Sequence, residues 1–103
     1  MGADGHTASL FPGTAALRET ERWVVPNHAP PAGTLRVTLT FPVLNAAANV
    51  LFLVAGADKA ERVKQVLEPT ASSDALPAGR IRPAHGQLEW MIDAAAASRL
   101  EPA

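Results

Sequence analysis

Residues 2–13, GADGHTASLFPG, place an acid and a histidine two positions apart between glycines. Gly2 and Gly5 accept backbone angles that other residues avoid, so Asp4 and His6 can be held together in a tight loop. Histidine is the usual general base near neutral pH, and a neighbouring carboxylate can orient its ring. The stretch therefore indicates proton-transfer chemistry. The same residues also fit a structural arrangement in which Asp4 caps a helix near residues 7–10 and His6 packs.

A second candidate is the arginine in TLRVTLTF, residues 34–41. The stretch alternates apolar and polar residues and is rich in β-branched ones, which predicts a strand with its leucines, valine and phenylalanine on one face. Arg36 stands among threonines on the other face. Its guanidinium can offer a planar fork to a phosphate. The alternative is an arginine that faces solvent on a one-sided sheet.

A third candidate is the lysine in VAGADKAE, residues 54–61. Asp58 and Glu61 have the spacing of a capping box, which predicts Lys59 at the first helical position. A lysine there faces the positive end of the helix dipole, which is unfavourable unless an anion is near. A helix amino terminus after a buried strand is also a ready phosphate site. The alternative is a solvated lysine that points away from the helix axis.

The elements that must position these residues follow from periodicity and from turn residues. We expect strand, helix, strand and helix to alternate, which predicts an α/β fold with a mostly parallel sheet. The expected helices are 14–19, 42–48, an amphipathic helix over 57–68 with Ala60, Val63, Val66 and Leu67 inward, and an alanine-rich helix over 88–100. The expected strands are 23–25, 34–41, a strand over 49–56 covered on both faces, and a short one over 80–83, with loops at 26–33 and 72–79.

Composition limits the classes of function. The chain has 103 residues, of which 48% are hydrophobic and 18% charged, which is typical of one globular domain. The formal net charge of −1 predicts no nucleic-acid partner, and the chain lacks a basic amphipathic stretch for a membrane surface. No apolar run approaches the roughly 20 residues that span a bilayer, and the amino terminus does not read as a signal peptide.

Cysteine and histidine usage completes this picture. The chain contains no cysteine, which excludes disulfides and thiolate chemistry and agrees with a reducing, cytoplasmic location. Its histidines, His6, His28 and His85, lack the spacing of metal ligands, so we expect no metal site. His28, beside prolines, and His85, before a glycine, are predicted to lie in loops.

Read together, four stretches resemble the 6-phosphogluconolactonase family. They are GADGHTASLFPG (2–13), LRVTLTFPVLNAAANVLFLVAGADKA (35–60), LPAGRI (76–81) and LEWMIDAAAASRL (88–100). The resemblance implies hydrolysis of 6-phospho-D-glucono-1,5-lactone to 6-phosphogluconate, without a cofactor, on an open α/β/α sandwich. It also implies that the partner is a small sugar phosphate.

The resemblance assigns roles residue by residue. The histidine of the family's Asp-Gly-His stretch falls on His6, which implies a general base that activates water, and Asp4 would help to place the base or the substrate. The arginine of the family's second matching strand falls on Arg36, and the lysine after the next strand falls on Lys59. Both would lie against the sugar phosphate.

The resemblance covers only the carboxy-terminal half of the family pattern, whose members are roughly twice as long. We therefore expect residues 1–103 to be the carboxy-terminal portion of a longer domain, either a fragment or a reading that begins at an internal methionine. The missing strands would leave sheet edges exposed, which invites association between chains. They would also leave the isolated chain with weak lactonase activity.

Two further hypotheses stay open. Glucosamine-6-phosphate deaminase/isomerases share the Asp-Gly-His loop, the arginine and the lysine, although TASLFPG (7–13) fits the lactonase better. A non-catalytic remnant that binds sugar phosphates is the other.

Overall fold

The fold is known from a computed structural model, which describes residues 1–68 and 76–101. The helices and strands are β1 (Val24–Ala29), β2 (Thr34–Leu39), α1 (Phe41–Leu44), β3 (Asn49–Val54), α2 (Ala60–Leu67) and β4 (Gln87–Ile92). Over these residues β1 pairs antiparallel with β2, and β3 pairs parallel with β4. The α/β class is therefore confirmed. The prediction of a mostly parallel sheet is wrong for the described residues, whose strands form one antiparallel and one parallel pair.

The β1–β2 hairpin corrects one expected loop. Residues 26–33 were expected to be irregular, yet Pro26–Ala29 belong to β1, and Pro26 lies opposite Val37. Proline is tolerated because an edge strand needs donors on one side only. The reversal falls on residues 30–33, where the Gly33 N–H donates to the Ala29 carbonyl at 2.9 Å. His28, expected in a loop, is thus a strand residue.

The β3–β4 pair corrects the expected closing helix. Residues 88–92 form a strand instead, and the Trp90 ring stacks on Phe52 of β3 with centroids 4.0 Å apart. Burial across the two strands outweighs the helix preference of the alanines, which lie in turns at 94–97. β3 is confirmed over Asn49–Val54, but only one of its faces is covered: Leu51 and Leu53 are exposed on the other.

The expected strand at 80–83 is also wrong. Pro77–Arg80 form a 3₁₀ turn, and the segment that follows is irregular. The side chain of Asn45 replaces a strand partner here: its amide group donates to the Arg80 carbonyl at 3.2 Å, and its oxygen accepts the Arg82 N–H at 2.6 Å. Residues 69–75, which include the first half of the predicted loop at 72–79, lie outside the described residues.

The predicted helices are present with changed bounds. The helix expected over 14–19 is a 3₁₀ turn at Ala15–Arg18, and the helix expected over 42–48 is α1. In α2 the inward stripe is right for Ala60, Val63 and Val66 and wrong for Leu67, which is exposed. The capping box is wrong as well. A 3₁₀ turn at Ala57–Lys59 leads into α2, so Lys59 itself is the N-cap and no side chain caps the helix.

The core joins the inner faces of both strand pairs to α2 and to the amino-terminal loop. It contains Leu10, Ala16, Val25, Phe41, Phe52, Val54, Val63, Ala78, Ile81 and Ala96. The hairpin buries its polar face, where Asn27 and Thr38 are each 3% exposed, while Val37 on the opposite face is 72% exposed. In the described parts of the chain, no helix is both long enough and apolar enough to cross a bilayer.

The exposed apolar faces lead to a first prediction. Apolar patches of this kind promote association, so we expect the isolated chain to self-associate. Val37→Thr combined with Leu53→Thr should shift sedimentation velocity profiles toward monomer with little change in the thermal midpoint, because both side chains are largely exposed. Val25→Thr, which alters the buried face of β1, is the control that should lower the midpoint instead. A wild-type chain that remains monomeric at high concentration would contradict the prediction.

The end of β4 leads to a second prediction. The Asp93 carboxylate accepts hydrogen bonds from the Ala96 N–H, at 2.8 Å, and from the Gly56 N–H, at 3.2 Å, and these bonds hold the pKa of Asp93 below its ordinary value. A lowered pKa stabilises the fold above the ordinary carboxyl pKa of about 3.9, and this stabilisation is lost as the pH falls through the lower folded value. Asp93→Ala should therefore melt below wild type at pH 7, and the gap should narrow in acid. A gap independent of pH would contradict this account.

Candidate active site

The amino-terminal loop is closed by its own backbone. The Gly2 N–H donates to the His6 carbonyl at 2.9 Å, and the Gly5 N–H donates to the Gly2 carbonyl at 3.0 Å. Gly5 has φ +85° and packs against Leu76, which a Cβ would approach to 2.9 Å. The Ala78 N–H then donates to the Gly5 carbonyl at 2.9 Å. The loop is therefore fixed against the 3₁₀ turn at Pro77–Arg80.

Within this loop Asp4 and His6 form a direct pair. Asp4 Oδ1 lies 2.5 Å from Nδ1 of His6 and also accepts the His6 backbone N–H at 3.0 Å. Partial burial opposes ionisation of Asp4, but the hydrogen bonds from His6 outweigh it and hold the pKa of Asp4 below its ordinary value. An ionised carboxylate only accepts, so the bonded Nδ1 carries the proton. When the ring carries only this proton, Nε2 has a lone pair that can accept a hydrogen bond from a substrate or water.

The alternative arrangement, in which Asp4 caps a helix near residues 7–10, is wrong. Thr7 and Leu10 form an isolated antiparallel bridge rather than a helix, and the Asp4 carboxylate bonds His6 instead of capping. Gly2 has a role that the sequence did not indicate. A Cβ built on Gly2 would overlap Cε1 and Nδ1 of His6, so the imidazole occupies the space that a side chain would need.

Arg36 lies beside the same loop. Its guanidinium carbon is 5.9 Å from the centre of the Phe11 ring, and that ring centre is 4.5 Å from the centre of the His6 imidazole. Within residues 1–68 and 76–101, the Arg36 guanidinium makes no hydrogen bond or ion pair, so its donors remain available to a ligand. The prediction that Arg36 stands on the polar face of its strand is right, and that face turns toward the loop.

Two buried polar side chains hold the hairpin against the loop. Thr38 Oγ1 accepts the Ser9 N–H at 3.0 Å. The Asn27 amide group donates to the Ser9 carbonyl at 2.8 Å and to Thr14 Oγ1 at 3.0 Å, and its oxygen accepts the Ala16 N–H at 3.3 Å. Sequence reasoning missed both residues. Both lie on the same face of the β1–β2 hairpin. The sequence could indicate this only if the pairing of the two strands were already known.

Lys59 also contacts the loop. Its Nζ donates to the Met1 carbonyl at 2.8 Å, one residue before the glycine that touches His6. Arg62, one turn further along α2, donates from Nε to the Ala3 carbonyl at 3.3 Å. The start of α2 is therefore bonded to the loop. A chain of contacts links all four predicted site residues: Arg36 and His6 both touch Phe11, Asp4 bonds His6, and Lys59 bonds Met1, the residue next to Gly2.

The amino-terminal loop thus carries a histidine bonded to a carboxylate, and Arg36 of β2 and Lys59 at the start of α2 lie against that loop through Phe11 and Met1. The chain belongs to the family described as glucosamine-6-phosphate isomerases/6-phosphogluconolactonase, whose model matches residues 1–90.

Two curated relatives illustrate the similarity. The chain is 48% identical over 101 residues to 6-phosphogluconolactonase of Rattus norvegicus, which covers 97% of this chain and 38% of the relative. It is 45% identical over 100 residues to 6-phosphogluconolactonase of a Nostoc species, covering 97% of this chain and 40% of the relative.

Among solved structures, 6-phosphogluconolactonase of Trypanosoma brucei superposes with a TM-score of 0.85 at 34% identity, covering 98% of this chain and 40% of that one. This match supports the α/β arrangement of the described residues. The chain spans about two fifths of the length of these relatives.

The close approach at Gly2 leads to a third prediction. Gly2→Ala should displace the imidazole from Asp4, so the pKa of Asp4 should rise toward its ordinary value because the hydrogen bonds that lower it are lost. The pKa is measured by following the Asp4 carboxyl carbon in an NMR titration. Ala3→Ser, at the exposed neighbouring position, is the matched control and should leave the titration unchanged. An unchanged Asp4 titration in Gly2→Ala would show that the imidazole does not depend on this space.

Proposed function

We propose that residues 1–103 form the carboxy-terminal portion of a 6-phosphogluconolactonase, which hydrolyses 6-phospho-D-glucono-1,5-lactone to 6-phospho-D-gluconate. The observation that carries the proposal is the Asp4–His6 pair beside Arg36, joined to it through Phe11. The names and the 48% and 45% identities of the curated relatives support the same substrate.

His6 acts as the general base. Its free Nε2 takes a proton from water, and the hydroxide formed attacks the lactone carbonyl, which is electrophilic enough to need no covalent enzyme intermediate. As the tetrahedral intermediate collapses, the bond between the carbonyl carbon and the ring oxygen breaks, and the imidazolium returns its proton to that oxygen. Asp4 keeps the ring in the required tautomer and stabilises the imidazolium. General base catalysis of this kind contributes typically about 10²–10⁴-fold.

Arg36 and Lys59 hold the phosphate. The Arg36 guanidinium has unengaged donors suited to a planar fork, and the Lys59 ammonium has donors beyond the one given to the Met1 carbonyl. Gripping the remote phosphate fixes the ring relative to the base, which is positioning rather than bond chemistry. The mechanism uses no cofactor, and the partner is the small sugar phosphate itself.

The rest of the longer protein would cover the apolar faces of this chain. The outer face of the hairpin exposes Val24, Leu35, Val37 and Leu39, and the outer face of β3–β4 exposes Leu51, Leu53 and Met91. Relatives about two and a half times as long have ample chain to cover both faces and so complete an open α/β/α sandwich. A cytoplasmic location stays a prediction, with which the cysteine-free composition agrees.

A deaminase/isomerase activity is the second candidate, because the family model that matches residues 1–90 includes glucosamine-6-phosphate isomerases. The lactonase is favoured because both curated relatives described above carry that name.

The test is lactone hydrolysis above the spontaneous rate, measured in this chain and in a chimera that joins it to the amino-terminal part of the Nostoc relative. We expect weak turnover in the chain and more in the chimera. His6→Ala should lower the enzymatic rate by about 10²–10⁴-fold, whereas His28→Ala, on the outer face of the hairpin, should not. Lys59→Met should raise KM, while Lys64→Met, whose ammonium pairs with Glu68, should not.

Three other outcomes would replace the proposal. Ammonia release from glucosamine 6-phosphate would identify a deaminase/isomerase. Binding of 6-phosphogluconate without turnover, lost in Lys59→Met, would identify a non-catalytic binding remnant. Turnover that His6→Ala leaves intact would refute the role of the base.

A further inference from the structure

One aromatic side chain contacts both the histidine and the arginine of the candidate site. The Phe11 ring centre lies 4.5 Å from the imidazole centre of His6, with an angle of 36° between the rings, and the Arg36 guanidinium carbon lies 5.9 Å from the same ring centre. We propose that Phe11 is a positioning residue that fixes the imidazole and the guanidinium relative to each other. The inference rests on the proposed function, in which these two groups act on one substrate.

A tight turn brings Phe11 back to the histidine. The Leu10 N–H donates to the Thr7 carbonyl at 2.9 Å, and Ala8 between them has φ +50°, which an alanine adopts only when the surrounding structure holds it there. The carbonyl of Phe11 accepts the Thr14 hydroxyl at 2.6 Å and the Thr14 N–H at 3.2 Å. The backbone of Phe11 is therefore fixed from both sides.

The burial of Phe11 differs from that of an ordinary core residue. Its side chain is 8% exposed, similar to Phe41 at 7%, yet Phe41 and Phe52 belong to the main hydrophobic cluster and Phe11 does not. Phe41 also makes a cation–π contact, because the Arg80 guanidinium carbon lies 4.3 Å from the centre of its ring. Phe41 therefore matches Phe11 in size, burial and cation contact, but lies outside the Asp4–His6 loop.

The flat face of an aromatic ring suits this task. A ring attracts a guanidinium through its quadrupole without occupying its N–H donors, so Arg36 is held while its fork stays available to a phosphate. Contact with a ring also limits the orientations of the imidazole, which keeps Nδ1 on Asp4. Leucine or methionine would fill the space without offering a ring face.

The experiment compares Phe11→Leu, Phe11→Met, Phe11→Tyr and Phe41→Leu with wild type, at a temperature at which each variant is folded by its amide NMR spectrum. Two quantities are measured in each: the pKa of the Asp4 carboxyl, by NMR titration, and the Kd for 6-phosphogluconate. Phe11→Leu and Phe11→Met should raise the Asp4 pKa toward its ordinary value, because the histidine bonds that lower it loosen. They should also weaken binding by about 2–5-fold, the range expected for an exposed cation–π contact.

Phe11→Tyr keeps the ring and should stay near wild type in both measurements. Phe41→Leu should lower the thermal midpoint while leaving both unchanged. The proposal is overturned if Phe11→Leu and Phe11→Met match Phe41→Leu in both quantities, or if Phe11→Tyr loses as much as Phe11→Leu. Whichever of the two Phe11 variants folds is sufficient for this comparison.

Failure of the proposed function gives a different pattern. If wild type does not bind 6-phosphogluconate, the phosphate-site hypothesis fails, but the Asp4 pKa still reports whether Phe11 fixes His6. Whether Phe11 also fixes Arg36 is then judged by the NMR order parameter of the Arg36 Nε–H group. Phe11→Leu should lower this order parameter and Phe41→Leu should not. Equal order parameters in all variants would overturn the proposal that Phe11 fixes Arg36.

Discussion

The close approach of Gly2 to the His6 ring is the constraint on which the site depends. The imidazole occupies the space beside the glycine, and in that position its Nδ1 meets the Asp4 carboxylate. The neighbouring Met1 carbonyl then faces the Lys59 ammonium, and the loop as a whole is held by the Ala78 N–H. The absence of a side chain at Gly2 thus leaves room for the imidazole, so that the His6 ring, the Asp4 carboxylate and the Lys59 ammonium all contact the first six residues.

The second requirement is a hairpin that turns its polar face inward. Asn27 and Thr38 are buried. Their side chains form hydrogen bonds with Ser9, Thr14 and Ala16. Across residues 1–68 and 76–101, no buried side-chain nitrogen or oxygen lacks a hydrogen bond. A buried polar group without a hydrogen bond would lower the stability by about 1–3 kcal/mol, so these bonds fix the position of the hairpin against the loop. Arg36 is brought beside the loop as a result.

Local patterns in the sequence were sufficient for some elements and not for others. The apolar run of β3 and the periodic stripe of α2 depend on neighbouring residues, and both are found where expected. Residues 88–92 were misread because their alanine-rich continuation favours a helix, while the strand depends on β3, almost forty residues earlier. The same distinction holds in the site. The Asp4–His6 pair joins residues two positions apart and can be predicted from the sequence. The contacts of Asn27 and Thr38 with Ser9, and of Phe11 with Arg36, join elements that meet only in the folded chain.

The bond between Lys59 and Met1 bears on how the loop can vary in sequence. Its acceptor is a main-chain carbonyl, which every amino acid supplies, so the contact does not depend on the identity of residue 1. The next position has no such freedom, since anything larger than hydrogen collides with the imidazole. The two adjacent positions thus differ in what they demand: the bond to Lys59 needs only the main chain of residue 1, whose side chain packs against the core, whereas residue 2 is restricted to glycine for as long as the histidine is retained.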